Sequence, residues 1–386
     1  MVLNSRKEYL LSIKDRYAGS SKKGKKLILD EFCAVCGYNR KYACRLLNQK
    51  FARARRRPGR KPRYLKAILE PLKNLWFATD QMCSKKFVAA IPTWLPFYEA
   101  EYGQLLPQLK EQILRISPAT IDRILKPIRI KFKVKGLSGT KPGSLLKNQI
   151  PIRTDFWDVS RPGFLEADTV ALCGNSLAGN FVWALTLTDI HSTWTENRAV
   201  WTKNAHGVVN AIKNIEAKLP FQILGFDSDN GSEFLNQYLL EYFTDRKQNL
   251  IAFTRSRPYK KNDNAHVEQK NWTHVRQLLG YDRFEKFELV ELVNDLFCNA
   301  WGPYQNFFCP SMKLVSKTRI NSKYLKKYDL PKTPYQRLLE SKEITDEKKA
   351  QLTKTFKSLN PFTLKKEIEQ KLKIVSSARM AAKANS

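Results

Sequence analysis

The order of hydrophobic and polar positions changes from helical to strand-like and back to helical along the chain. Residues 24–50 carry apolar positions at helical spacing on both sides of Gly37, which predicts two helices joined by a short turn. The side chains expected to face inwards are Ile28, Phe32, Val35, Ala43, Leu46 and Leu47. The second helix is basic on its outer side. Residues 1–50 are therefore predicted to form a helix-turn-helix domain.

The basic side of that second helix suits the major groove of DNA. Its outward residues include Arg40, Lys41 and Arg45. An ordinary helical hairpin with a solvated basic face is the alternative. Residues 51–63 favour the DNA interpretation, because they combine Pro58, Gly59 and Pro62 with a run of cations and cannot form a packed helix or strand. We expect this basic arm to contact phosphates or a minor groove, rather than to be only a solvated linker. The expected contacts are Arg53, Arg55, Arg56 and Arg57.

A second helical unit is predicted over 64–130. Its last helix opens with Ser117 as N-cap and Pro118 in the first turn. Arg123 and Lys126 are expected to point outwards, so this helix is a second candidate for DNA recognition. Residues 131–158 follow as a basic linker.

From residue 163 the apolar positions alternate, as in strands. Three strand patterns come first (163–174, 180–192 and 193–201), and later ones at 222–229 and 250–257 alternate with helices at 204–219, 237–245 and 266–280. This order predicts an α/β core over 159–290, a mixed five-stranded sheet flanked by helices. In the C-terminal region, 291–386, residues 310–334 look extended and basic and 335–376 helical.

The composition points to a polyanionic partner. The 386 residues carry 68 Lys and Arg against 36 Asp and Glu, a formal net charge of +32. Residues 1–150 carry +23, residues 151–290 carry −1 and residues 291–386 carry +10. Neutral core and basic flanks are typical of a catalytic domain held between nucleic-acid-binding segments, although a generally basic soluble protein is the alternative. The apolar stretches predict no membrane span and no secretory signal.

The seven cysteines are expected to be free thiols in a reducing cytosol. Cys33 and Cys36 form a C-x-x-C, and Cys44 follows them. A zinc site would require a fourth ligand, and the four histidines all lie far away in the middle of the sequence. Packing of these thiols in a helical core is the favoured interpretation.

Three carboxylates are candidates for catalysis. Asp168 lies in the first predicted strand, Asp229 ends the fourth, and Glu268 lies in the first turn of a helix. Such oxygen ligands can hold two Mg²⁺ or Mn²⁺ ions for phosphoryl transfer. Alternatively, Glu268 could have no catalytic role and only stabilise its helix through the interaction of its negative charge with the helix dipole. The apolar positions Trp272, Val275 and Leu279 follow it on one face, so we expect Glu268 to face the sheet.

Several neighbouring residues are assigned lesser roles. Glu166 and Asp227 share strand faces with Asp168 and Asp229 and could support them. The loop 258–265 is expected to contact DNA phosphates through Lys260 and Lys261. No P-loop motif is present, so an accessory ATPase would be a separate protein.

The motifs PGFLEADTVALCG, TLTDIHSTWTENRAV, GFDSDNGSEF and HVEQKNWTHVRQLLGYDRFE resemble those of insertion-sequence transposases with a retroviral-integrase-like core. The resemblance runs over about 150–290. It implies an RNase H-like fold and a catalytic Asp-Asp-Glu triad of Asp168, Asp229 and Glu268 holding Mg²⁺ or Mn²⁺. Asp189 matches a position that is not catalytic. The histidine and cysteine zinc module of retroviral integrases is absent, and paired helix-turn-helix segments stand in its place.

The resemblance implies a bacterial DNA transposase that binds the terminal inverted repeats of an element, nicks the ends and joins the 3′-hydroxyls to target DNA. Its partners would be those DNAs and further copies of the chain, and it would be cytoplasmic and nucleoid-associated. Two alternatives remain: a helix-turn-helix regulator with an inert core, and a nuclease of the same fold that does not join strands.

Overall fold

The computed structural model describes residues 3–49, 64, 66–131, 160–228, 233–234, 237–244, 251–255 and 265–384. The chain forms two compact units, Met1–Arg63 and Tyr64–Ser386. Several residues singled out from the sequence lie outside the described ranges: Arg53, Arg55, Arg56, Arg57, Asp229, Lys260 and Lys261.

The described part of the N-terminal unit, residues 3–49, forms three helices around a small core. They are α1 (Leu3–Gly19), α2 (Lys22–Cys36) and α3 (Arg40–Asn48). Gly37 ends α2 with φ 66°, and its N–H donates to the carbonyl of Cys33, as is common for glycine after a helix. Asn39 caps α3 by accepting a hydrogen bond from the N–H of Lys41 at 3.0 Å. The two helices and the turn between them lie where the sequence predicts them.

One prediction of an inward-facing residue in α2 was wrong. Val35 is exposed, and the buried positions of this helix are Ile28, Leu29, Phe32 and Cys36. The buried stripe advances through Phe32 to Cys36, four residues on, which places Val35 on the neighbouring surface of the helix. The Cys36 thiol packs in this core, where burial raises its pKa.

The second unit begins with a helical region, continues through a sheet and ends with further helices. After a 3₁₀ turn (Lys66–Ile68), its α-helices are α4 (Leu69–Ala78), α5 (Ser84–Tyr102), α6 (Pro107–Leu114), α7 (Pro118–Lys131), α8 (Ala205–Glu216), α9 (Gln237–Thr244), α10 (Ala265–Lys270), α11 (Gln277–Leu279), α12 (Leu289–Leu296), α13 (Pro334–Glu340), α14 (Asp346–Ser358) and α15 (Pro361–Ala384). Three segments are π-helical: Asn271–Arg276, Phe297–Trp301 and Tyr304–Phe308. Among the described residues, no helix is long and apolar enough to cross a bilayer.

Helices α4–α7 share one hydrophobic core with the sheet and the C-terminal helices. Trp94 of α5 is fully buried, donates its indole N–H to the carbonyl of Phe308 at 3.0 Å, and packs edge-on against Tyr304 and Phe362. Tyr304 in turn donates to the carbonyl of Ala78 at 2.7 Å. The structure therefore groups residues 64–131, treated above as a separate domain, with the sheet and the C-terminal helices. Part of the apolar surface of these helices is covered by distant C-terminal residues such as Phe308 and Phe362.

The sheet has the predicted five strands in mixed orientation. They are β1 (Phe164–Ala171), β2 (Val182–Asp189), β3 (Thr195–Trp201), β4 (Gly225–Ser228) and β5 (Ala252–Arg255). The order is β3-β2-β1-β4-β5; β2 runs antiparallel to both of its neighbours, β1 and β3, whereas β4 and β5 run parallel to β1. β1 is thus central. A mixed sheet of this order with flanking helices fits an RNase H-like core.

Two asparagines cover the edge strand β3. The Asn294 side chain donates to the carbonyl of Ala199 and accepts from its N–H, at 2.9 and 2.8 Å. Asn306 makes the same pair of bonds with Thr195, at 2.9 and 3.0 Å. The amides satisfy backbone groups that an edge strand otherwise leaves open to another strand. They also fix α12 and the following helical turns against the sheet.

Residues 310–334 are extended, as expected, and form a β-hairpin. Its strands are β6 (Leu314–Ile320) and β7 (Lys323–Tyr328), paired antiparallel in a sheet of their own. The predicted C-terminal helices follow as α13, α14 and α15.

Candidate active site

Asp168 lies near the middle of the central strand and is half-buried. One carboxylate oxygen accepts from the N–H of Thr169 at 2.7 Å, and the other from the side-chain amide of Asn271 at 2.6 Å. Across the β1–β2 ladder it pairs with Thr186. Side chains alternate along a strand, so Glu166 lies on the same face. This is the polar face of the sheet.

The helix that carries Glu268 is tied to this face at two points. At its start, one carboxylate oxygen of Glu166 accepts from the N–H groups of both His266 and Val267, each at 3.0 Å. Further along, Asn271 reaches Asp168. The first contact satisfies two of the N–H groups that every helix leaves unpaired at its N-terminus. Glu166 and Asn271 thereby set the position of Glu268 relative to the central strand.

Glu268 does not face the sheet as the apolar spacing suggested. Glu268 is exposed, and Trp272 is 48% exposed. Four of the buried positions, Val267, Asn271, Val275 and Leu279, are spaced four residues apart, and His274 beside Val275 is buried as well. The π-helical turn Asn271–Arg276 keeps these positions in line because it holds more residues per turn than an α-helix. The stripe therefore begins at Val267, and Glu268 lies beside it at the rim of the face.

Carboxylates are concentrated around Glu166. Burial, together with the negative charges of Asp227 and Glu268, raises the pKa of Glu166 to about 8, against the opposing effect of its two backbone hydrogen bonds. Asp227 of β4 pairs with Glu166 in the parallel ladder and accepts a 2.6 Å hydrogen bond from Thr254. Burial is the main cause of this raised pKa, and the charges of the two neighbouring carboxylates add to it. Hard oxygen donors in such surroundings suit a divalent cation.

Asp229, the remaining carboxylate of the expected triad, lies outside the described residues. Strand β4 ends at Ser228, which pairs with Ala167, the residue before Asp168. Asp229 is the next residue in the sequence. Within the described ranges, no group of three or more His, Cys, Asp or Glu residues has the arrangement of a metal site.

Asn271 and Lys270 were not singled out from the sequence. Asn271 could have been found as an amide in the otherwise apolar stripe of its helix. Lys270 lies 3.4 Å from the buried imidazole of His274, and burial, together with the nearby Lys86, lowers its pKa to about 7. Burial and Lys270 also lower the pKa of His274 well below its usual value. Both shifts favour the neutral form of the base, so burial disfavours positive charge at Lys270 and His274.

The resemblance places Asp189 at a position that is not catalytic, and in the structure its carboxylate is hydrogen-bonded within the fold. Its buried carboxylate accepts from the N–H of Gly163 at 2.8 Å and from the N–H and hydroxyl of Ser192 at 2.6 and 2.5 Å. It joins the start of β1 to the turn between β2 and β3. All its oxygens are used within the fold, and burial raises its pKa.

The predicted DNA contacts within the described residues all lie on the surface. Those on α3 are Arg40, Lys41 and Arg45, and those on α7 are Arg123 and Lys126. Arg40 is paired with Asp30, and Arg45 lies over the ring of Tyr42. Lys41 and Lys126 are exposed.

No protein-family model matches the sequence. Two solved structures are similar in part: the catalytic core domain of BIV integrase (17% identity, TM-score 0.23, covering 31% of this chain and 66% of that one), and a simian T-cell lymphotropic virus intasome in complex with PP2A regulatory subunit B56 gamma (15% identity, TM-score 0.28, covering 47% and 58%). Over 336 residues the chain is 38% identical to the uncharacterized protein y4rM of Sinorhizobium fredii, which covers 86% of this chain and 95% of that protein. The chain belongs to the same family as y4rM.

Proposed function

We propose that this chain is a DNA transposase of the integrase type, which nicks the ends of an element and joins their 3′-hydroxyls to target DNA. The observation that carries the proposal is the attachment of the Glu268 helix to the central strand by Glu166 and Asn271. This attachment holds the start of the helix beside Glu166, which shares a strand face with Asp168, and we expect Glu268 to reach the ions from the rim of that face.

Asp168, Asp229 and Glu268 are the proposed ligands of two Mg²⁺ or Mn²⁺ ions. Such ions, when bound, activate a water or a 3′-hydroxyl and stabilise the leaving oxygen of a phosphodiester. The carboxylates crowded around Glu166 support a cation there. Asn271, through its amide, would hold one oxygen of Asp168, and the N–H of Thr169 the other, which fixes the orientation of that carboxylate.

DNA affinity and sequence specificity are assigned to the basic segments. The core, residues 151–290, carries −1 and would gain little from counterion release. The N-terminal unit offers α3 and the basic arm, whereas α7 belongs to the larger unit. Binding of the element ends is therefore proposed to need both units, with sequence discrimination in residues 1–63.

Removing residues 1–63 is expected to abolish discrimination between element ends and scrambled DNA while leaving the larger unit folded. Tyr64–Ser386 has its own core, so its thermal unfolding should change little. The control is the full chain with Arg123→Ala and Lys126→Ala, which should weaken binding to both DNAs alike if α7 contacts only phosphates. Competition binding with the two duplexes measures the ratio of the affinity for element-end DNA to the affinity for scrambled DNA. If the shortened chain still discriminates between the two DNAs, the sequence specificity resides in the larger unit.

A strand-transfer assay tests the proposed function. The substrates are a labelled duplex from the DNA flanking the gene, recessed to a 3′-hydroxyl end, and a supercoiled plasmid with Mg²⁺ or Mn²⁺. Covalent joining of the label to the plasmid is the expected result. Hydrolytic nicking without joining would indicate the nuclease alternative, and binding without either reaction would indicate the regulator. Terminal inverted repeats in the flanking DNA would supply the natural substrate.

A further inference from the structure

The hairpin β6–β7 is the most exposed regular element of the larger unit. Every residue of both strands is exposed, so neither face packs on the rest of the unit. Between Leu314 and Tyr328 there are five cationic residues and no acidic one. The cations are Lys317, Arg319, Lys323, Lys326 and Lys327.

The strand register sorts these cations onto two different faces. Lys317 pairs with Lys326, and Arg319 pairs with Tyr324. Paired residues lie on one side of a ladder and positions two apart share a face, so these four residues form one surface, called here the basic face. The opposite face carries Lys323 and Lys327 among Ser316, Thr318, Ile320 and Leu325.

The ring of Tyr324 organises the basic face. The ammonium of Lys317 lies 4.6 Å from the ring centroid, and the guanidinium of Arg319 lies 6.0 Å from it. Cation–π contacts of this kind hold long side chains in place. Two of the three cations of the basic face are therefore held beside one ring, which lowers the conformational entropy that their side chains lose when a partner binds.

The base of the hairpin is fixed firmly to the larger unit. Asp329 accepts from the N–H of Lys313 at 2.6 Å and from Arg337 at 2.7 Å. Lys313 donates to the carbonyl of His191 at 2.8 Å, and the hydroxyls of Ser311 and Thr193 lie 2.7 Å apart. These last contacts reach the turn between β2 and β3. The hairpin thus projects from the sheet domain at a fixed point.

That point is near the candidate active site. Thr188 of β2 pairs with Glu166 of β1 on one side and with Thr195 of β3 on the other. The turn that holds the base of the hairpin therefore begins two residues beyond the level of Glu166 in the sheet. DNA that reaches the carboxylates would pass close to the hairpin.

We propose that β6–β7 is a DNA-binding ribbon whose basic face enters the major groove of the duplex next to the active site. This inference rests on the proposed function. The major groove admits a two-stranded ribbon, and a face with three cations, two of them beside an aromatic ring, suits a groove lined by phosphates. A second copy of the same hairpin is disfavoured as the partner, because five cations on each would repel.

Two charge-matched variants of the full chain test the proposal. Lys317→Ala with Lys326→Ala removes two lysines from the basic face, and Lys323→Ala with Lys327→Ala removes two from the opposite face. Both leave the same net charge and the same number of alanines, and all four side chains are exposed. Fluorescence anisotropy with a labelled 30-base-pair duplex, repeated over a range of salt concentrations, gives the affinity and the salt dependence. Circular dichroism and sedimentation check folding and oligomeric state.

The basic-face variant is expected to bind about tenfold more weakly at low salt, with a salt slope reduced by about 1.8, because each phosphate contact contributes about 0.9. The opposite-face variant should keep most of the slope. Equal losses in both variants, or none in either, would overturn the proposal. So would dissociation of an oligomer by the basic-face variant without a change in salt slope. If the wild-type chain transfers strands but both variants bind DNA as tightly as it does, only the proposal that the hairpin binds DNA is contradicted. If the wild-type chain does not bind the duplex, the proposed function is contradicted as well.

Discussion

Asp168→Asn and Glu268→Gln are each expected to lower Mg²⁺-dependent strand transfer by about 10³-fold or more, while DNA affinity stays within a few-fold of wild type. Asp229→Ala should behave in the same way. A bound divalent ion is worth several kcal/mol of transition-state stabilisation, and about 4 kcal/mol corresponds to 10³ in rate. The affinity should persist because the cationic segments outside residues 151–290 provide most of the charge. Rates of joining and equilibrium binding are measured on the same duplex.

The matched control for Glu268→Gln is Glu291→Gln. Both are exposed glutamates in the first turn of a helix, so the two changes remove the same helix-dipole interaction. Glu291 belongs to α12, which packs beside the edge strand β3. If Glu291→Gln lowers strand transfer as much as Glu268→Gln, the carboxylate of Glu268 is only a dipole partner and the triad assignment is wrong. A Glu268→Gln chain with activity near wild type leads to the same conclusion.

The elements of the core could be predicted because each has a local signal. The alternation around Asp168 and the helical spacing of residues 205–216 depend on near neighbours, and the strands and helices lie within a few residues of their predicted bounds. What covers an apolar face is not a local property. Trp94 lies in the predicted helical region over 64–130, but its partners Phe308 and Phe362 are more than 200 residues away. The grouping of residues 64–131 with the core therefore needed the structure.

The geometry of the candidate site was predictable only in part. The type and spacing of Asp168 and Glu268 were visible, and the two-residue period placed Glu166 beside Asp168. The orientation of Glu268 was not predictable, because an α-helical period was assumed through Asn271–Arg276, where the helix has π geometry. Nor could the sequence show that Glu166 binds the backbone of residues 266 and 267. That contact joins a strand to a helix 100 residues later.

Glu166→Ala is expected to release the start of the Glu268 helix and to lower strand transfer by about 10²-fold. The change removes both hydrogen bonds to the N–H groups of His266 and Val267, and loss of such a cap costs about 2 kcal/mol. A displacement of about 1 Å in a reacting group can cost 10² in rate. Hydrogen exchange of these two amides should accelerate, and exchange within β2 should change much less.

Glu166→Gln separates a positioning role from a role as a metal ligand. The glutamine side-chain oxygen can accept the same two hydrogen bonds, and the pKa of Glu166, near 8, indicates that a neutral side chain is tolerated at this position. A positioning residue should therefore be rescued: Glu166→Gln should keep slow exchange at residues 266 and 267 and most of the strand transfer. If Glu166→Gln keeps the slow exchange but loses as much activity as Glu268→Gln, the Glu166 carboxylate itself holds the ion. In that case, the central strand supplies two ligands through Glu166 and Asp168.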